Sequence, residues 1–102
     1  MKHILPAATA VVASVAMAGT AAAGDAQAGK AKAAACAGCH GAEGQGVGPN
    51  PPLAGFPEDR TVQALQDYKS GKRTNAVMKS FASSLSDQDM ANLGAYYASL
   101  KK

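Results

Sequence analysis

The chain has no tryptophan, 5% aromatic residues and only two cysteines among its 102 positions. Each shortage excludes something. A domain this short has trouble building a sufficient core from side chains alone, and with so few aromatic rings the core is thinner still. Small exported domains often add disulfides, but Cys36 and Cys39 stand two residues apart. A bridge between them would close almost no loop and constrain the unfolded chain little. Charge of one sign is scarce too. The formal net charge is +3, and the basic residues are scattered along the chain, which excludes the dense footprint of a nucleic-acid binder. No segment shows the sustained alternation of a strand. No internal repeat is present, and no grouping of acid, base and nucleophile marks an enzyme.

Long hydrophobic runs are missing except at the start. "MKHILPAATAVVASVAMAGTAAAG" opens with Lys2, runs apolar from Ile4 to about Met17, and closes on Ala21, Ala22 and Ala23. The run is short of the roughly 20 residues of a membrane span, and Pro6 interrupts it. A basic start, an apolar middle and a small-residue site are the pattern of a cleaved signal peptide. Residues 1–23 therefore read as an export signal, and residues 24–102 as one domain delivered to the periplasm without stable membrane insertion. Within that domain remain a single histidine, His40, and two methionines, Met78 and Met90.

What is present reads as all-α, with three main helices. The first covers residues 25 to about 38, is Ala-rich, and has Asp25 to cap it. The second starts at Glu58 and Asp59, repeats Val62, Leu65 and Tyr68 at helical spacing, and ends at Gly71. The third has the clearest start. Ser86 is placed as N-cap with Asp89 three residues on, an acidic variant of the capping box, and Met90, Leu93, Tyr97 and Leu100 share one face. Between the first two helices lies a Gly- and Pro-rich loop, residues 41–57, and a loop of that length is often functional. A second loop, "KRTNAVMKSFASSL", joins the last two.

The stretch "AAACAGCHGAEG" carries the chemistry. Cys36, Cys39 and His40 form C-x-x-C-H, the pattern of covalent haem c attachment. Two thiols at this spacing add across the two vinyl groups of a haem, and the adjacent histidine becomes an axial ligand of the iron. The competing readings are weaker. A structural zinc site needs four Cys, His or carboxylate ligands, and no further Cys or His follows residue 24. A thioredoxin-type pair needs a strand–helix framework. A plain disulfide remains chemically open. For the sixth iron position, Met90 lies on the apolar face of the last helix and reads as core, whereas Met78 lies in a loop free to approach the iron. A ligating histidine usually donates its other ring N–H to a fixed acceptor, and in "GVGPNPP" the expected acceptor is the carbonyl of Pro49. Lys72 and Arg73 read either as partners of haem propionates or as solvated surface.

These residues resemble class I cytochromes c, and among them the small bacterial cytochromes of the c4, c5 and c-553 kind. The likeness covers nearly all of the domain. "CAGCHG" resembles the attachment site, "GPN" followed by "PPLAG" the proline loop, "LQDYKSGKRT" the middle helix and its exit, and "LSDQDMANLGAYYASL" the last helix. The resemblance implies a class I cytochrome c fold around one covalently attached haem. It also implies an axial methionine seven positions before Leu85, which is Met78. The proline loop is tighter than the c4 pattern, which brings in Pro51 as a second acceptor for His40. The c4 proteins carry two such domains in tandem, and this chain shows one. The function implied is single-electron transfer between redox proteins, such as a quinol-oxidising complex and a terminal oxidase or reductase. The rival roles are a haem subunit of a larger oxidoreductase and an open-site haem protein that binds a small ligand.

Overall fold

The computed structural model describes residues 24–101, so the expected signal segment lies outside the described residues. Five helices follow one another: α1 (Ala26–Lys32), α2 (Ala34–His40), α3 (Glu58–Ser70), α4 (Ala76–Ser83) and α5 (Asp87–Ser99). Among the described residues no strand forms beyond one isolated bridge between Val47 and Asn50. No helix among them is long and apolar enough to cross a membrane.

The helix ends follow local chemistry. Asp25 caps α1 by accepting from the N–H groups of Gln27 at 2.9 Å and Ala28 at 3.3 Å. The first expected helix is two. The Ala33 carbonyl is shared by the N–H of Cys36 at 2.8 Å and of Ala37 at 3.1 Å, and this tightened turn separates α1 from α2. α2 then runs on to His40 and stops at Gly41, whose φ of 98° favours glycine. α3 carries Glu58 and Asp59 in its first turn and ends at left-handed Gly71. The capping box of α5 is complete: Ser86 Oγ accepts from Asp89 N, and an Asp89 carboxylate oxygen accepts from Ser86 N, both at 3.0 Å.

One expectation needs correction. The segment joining the middle and last helices is not all loop, because α4 occupies residues 76–83 of it. Asn75 starts it, its side-chain oxygen accepting from Met78 N at 3.0 Å. Met78 therefore sits on the first turn of a helix, which holds it more firmly than a loop would.

α5 is the spine of the packing. α1 crosses it so closely that a Cβ on Gly29 would stand 2.0 Å from the Asn92 carbonyl oxygen. Asn92 also accepts from Asp25 N at 2.8 Å through its side chain, tying the start of α1 to the crossing. On another side Gly94 lets α3 approach, since a Cβ there would meet the Glu58 carbonyl oxygen at 2.8 Å. The buried core is small, as the sequence implies: Ala33, Leu65, Met90, Leu93 and Tyr97. Cys36, Leu53, Met78, Leu85 and Leu100 are among the half-buried side chains packed around it.

The loop from 41 to 57 is held at both ends. Gly46 N donates to the His40 carbonyl at 2.7 Å, Leu53 N and Ala54 N share the Gly44 carbonyl, and Gly55 N donates to the Tyr97 carbonyl at 2.8 Å. Gly44 is irreplaceable for two reasons: its φ is 67°, and a Cβ would come within 2.8 Å of the Tyr97 ring.

Candidate functional site

α2 positions the three motif residues. Cys36 and Cys39 are one turn apart, and His40 follows at the last position of the helix. Both thiols are free. Cys36 is half-buried and Cys39 exposed. Cys36 packs against the buried cluster that includes Tyr97.

Burial pushes the Cys36 thiol above its ordinary value, and the nearby Cys39 adds to the rise. The Tyr97 hydrogen bond opposes it. A thiol–disulfide catalyst needs the opposite, a lowered pKa that populates the thiolate. Burial likewise raises the Tyr97 phenol, which stays protonated.

His40 is buried, with 8% of its surface exposed. Its Nδ1 lies 2.8 Å from the carbonyl oxygen of Pro51. A carbonyl only accepts, so Nδ1 carries the proton and Nε2 keeps its lone pair for a metal. This corrects the expectation for Pro49. Val47 and Asn50 exchange backbone hydrogen bonds at 3.0 and 3.1 Å, closing a tight turn with Gly48 and Pro49 at its tip. Pro49 is exposed there, and the chain returns from the turn to bring Pro51 to the ring.

The two methionines separate cleanly. Met90 has no exposed surface and belongs to the core. Met78 is half-buried and packs against the cluster that also receives Cys36. Thus α2 and α4 bring the sequence-identified residues to one core from different parts of the chain. Among the described residues no group of three or more His, Cys, Asp and Glu is placed to hold a metal ion, so a closed zinc set of such residues does not form.

The fit to a covalently bound haem can be judged from these side chains. Two unbridged thiols lie a turn apart. A buried imidazole with its Nδ1 engaged follows at once. A methionine packs on the same cluster. Large apolar groups that the small core leaves uncovered include Val47, Val77 and Phe81. These are the donors and the surface such a group needs. Tyr97, with its contact to Cys36 and its ring under Gly44, is the one neighbour of the site that sequence reasoning assigned only to the core. Its place on the buried face of α5 was visible, but its packing beside Cys36 and under Gly44 was not.

Comparison with known proteins agrees. Residues 26–101 match the family model for cytochrome c. The chain is 47% identical over 70 residues to cytochrome c4 of Pseudomonas aeruginosa, an alignment covering 68% of this chain and 35% of that protein. It is 44% identical over 79 residues to cytochrome c-554(547) of Halothiobacillus neapolitanus, covering 67% of this chain and 87% of that one. Among solved structures, cytochrome c4 of Acidithiobacillus ferrooxidans superposes with a TM-score of 0.74 at 34% identity, over 76% of this chain and 51% of that one. The chain thus spans about a third to a half of the c4 proteins and most of the c-554(547) protein.

Proposed function

The chain belongs to the cytochrome c family, and from that premise we propose that it is a periplasmic carrier of single electrons, exported on residues 1–23. In this reading Cys36 and Cys39 would anchor one haem c through thioethers, and His40 and Met78 would ligate its iron. The bound haem supplies the one-electron Fe(III)/Fe(II) couple. The protein supplies the rest. The Pro51 carbonyl accepts the Nδ1 proton of His40, which fixes the ring plane and makes Nε2 a stronger donor. Asn75 fixes the first turn of α4 and with it Met78. A thioether ligand raises the reduction potential. With His40 and Met78 both holding the iron, no position would be left for a substrate, and the protein would pass electrons rather than act as an enzyme.

The observation that carries this reading is the 2.8 Å bond between His40 and Pro51, next to two free thiols. It prepares Nε2 as a ligand and has no purpose in a disulfide or thiol site. The test is the visible spectrum of the full chain, expressed by export in a host that attaches haem c. A haem c spectrum with the weak long-wavelength sulfur-to-ferric-iron band, insensitive to carbon monoxide when reduced, is expected. A spectrum without that band that shifts with carbon monoxide would mean an open sixth position and a ligand-binding role. No covalent haem would return Cys36 and Cys39 to thiol chemistry.

A further inference from the structure

Gly24 leads into α1, and the fold leaves it no room for a side chain. A Cβ there would run into the Ala91 carbonyl of α5 and stand 2.8 Å from a Glu58 carboxylate oxygen. Gly24 is half-buried at this point. The spot is framed on both sides. The next residue, Asp25, donates its N–H to the Asn92 side chain at 2.8 Å. On α3 the Glu58 stem lies over Gly94, whose added Cβ would meet Glu58 Cγ at 3.0 Å. The approach to α1, the start of α3 and the middle of α5 therefore converge, with the Glu58 carboxylate beside the Gly24 backbone. The Gly24 nitrogen is bonded to the same Cα, so it lies within a few ångströms of that carboxylate. Among the described residues Glu58 forms no ion pair.

The bond before Gly24 is the expected cut site, following Ala21, Ala22 and Ala23. Hydrolysis by a signal peptidase would consume one water there. The amide between Ala23 and Gly24 breaks, Ala23 leaves as a carboxylate, and Gly24 keeps a protonated amine. Before the cut this nitrogen is a neutral amide. After it, a positive charge stands beside Glu58. The positive ends of the α1 and α3 dipoles alone would repel such a charge, so its stability there depends on carboxylates. Asp25, Glu58 and Asp59 come from the two helix starts, and Asp87 stands one turn before Ala91 on α5. Asp25 is engaged in capping α1. Glu58 is the one whose carboxylate lies at Gly24.

We propose that cleavage between Ala23 and Gly24 creates an ammonium that pairs with the Glu58 carboxylate beside the Ala91 carbonyl, stapling the approach to α1 onto α3 in the processed protein alone. The proposal rests on the export reading of residues 1–23. It gives position 24 a reason to be glycine and also the first residue after the cut, since a side chain would enter the space that amine and carboxylate share. α1 carries α2 and its motif, so the staple bears on the frame of the haem site without touching it. Its pH dependence has a definite sign. A neighbouring carboxylate raises the pKa of an amine. The contribution is therefore complete between about pH 5 and pH 7.5, and is lost as pH rises through the folded value.

The test uses the full chain, exported and loaded with haem. Intact mass is read first, and a product running from Gly24 to Lys102 is expected. Glu58→Gln is then compared with wild type in two registers, the native one and one with an asparagine inserted between Ala23 and Gly24. Asparagine does not suit the small-residue position before the cut, so the amine moves one residue away from Glu58, and mass checks that it has. At about pH 6, Glu58→Gln is expected to lower Tm by roughly 2–6 °C in the native register. In the displaced register the loss should be less than about half as large, because a pair already broken cannot be broken again. The second readout is the Gly24 Cα resonance of carbon-13 glycine-labelled ferrous protein, which follows the terminal amine. It is expected to titrate about half a pH unit or more higher in wild type than in Glu58→Gln. Equal Tm losses in the two registers, or equal titration points, would overturn the staple and leave the export reading intact. A cut at another bond would overturn it too, since the amine would then miss Glu58. A haem-loaded product that keeps residues 1–23 would sink the export reading and the staple with it.

Discussion

Replacing Gly29 by alanine opposes two physical effects of known sign. Alanine is a better helix former than glycine by about 1 kcal/mol, so propensity alone makes the variant more stable. The crossing of α1 over α5 says otherwise. The added Cβ would stand 2.0 Å from the Asn92 carbonyl oxygen, 2.6 Å from its carbonyl carbon and 2.9 Å from Tyr96 Cβ. Ordinary carbon contacts lie near 3.5–4.0 Å, as a rough guide. The two closest neighbours are backbone, so no side-chain rotation relieves the clash and the helices must part. Overpacking costs about 1–3 kcal/mol, and a backbone clash this close belongs at the upper end. After the propensity gain, a net loss of about 2 kcal/mol remains. For a domain of this size that lowers Tm by roughly 8–16 °C. The assay is thermal unfolding of the haem-loaded protein followed by circular dichroism. A covalent cofactor stays with the unfolded chain, so its loss does not blur the transition. An unchanged or raised Tm would refute the close crossing, and with it the frame that carries α2.

Three further outcomes are expected. Met78→Leu should remove the sulfur-to-iron band and open the reduced protein to carbon monoxide, while Met90→Leu keeps the band, because Met90 is core; visible spectra of the two variants check this. Leu93→Ala, at a side chain only 2% exposed, should cost about 2–5 kcal/mol, read by denaturant titration. Ser86→Ala should cost about 1 kcal/mol by removing the α5 cap. The Asp89 carboxyl is held below its ordinary value chiefly by its bond to Ser86 N, with Lys32 adding less. A folded-state value below the unfolded one means that this contribution is complete above about pH 4 and is lost as pH falls through the folded value. The acid limb of Tm against pH should therefore flatten in Asp89→Asn.

The parts legible in the sequence are those whose cause is local. The capping box at Ser86 and Asp89 is written within four residues, and so are the cap at Asp25 and the stop at Gly71. Cys36, Cys39 and His40 lie on one turn of helix, so spacing alone brings them together. α4 was missed although Asn75 was a fair capping residue and Val77 and Phe81 stand one turn apart. Eight residues barely exceed a helix nucleus, and packing against α3 stabilises what propensity does not. The choice of Pro51 over Pro49 was beyond local reading. It depends on the turn closed by Val47 and Asn50 and on the positive φ values of Gly44, Gly46 and Gly48, which set where the returning chain meets the ring. A two-residue error in a loop sends a carbonyl to a different side.

The same distribution of packing ranks the elements by strength. α2 is anchored at its far end by α1, which is locked to α5, and Cys36 packs on the core. α4 has no such lock. Its fully buried residue is Ala82, and Met78 is half-buried. An element with few buried apolar groups opens at lower free energy than the global fold. Heating should therefore release Met78 before the helices as a whole. The sulfur-to-iron band would fade at a lower temperature than the circular dichroism signal, and carbon monoxide binding would appear in that interval. Coincident loss of band and helicity would show that the α4–α3 contact is as strong as the α1–α5 crossing, and would refute the ranking drawn from burial.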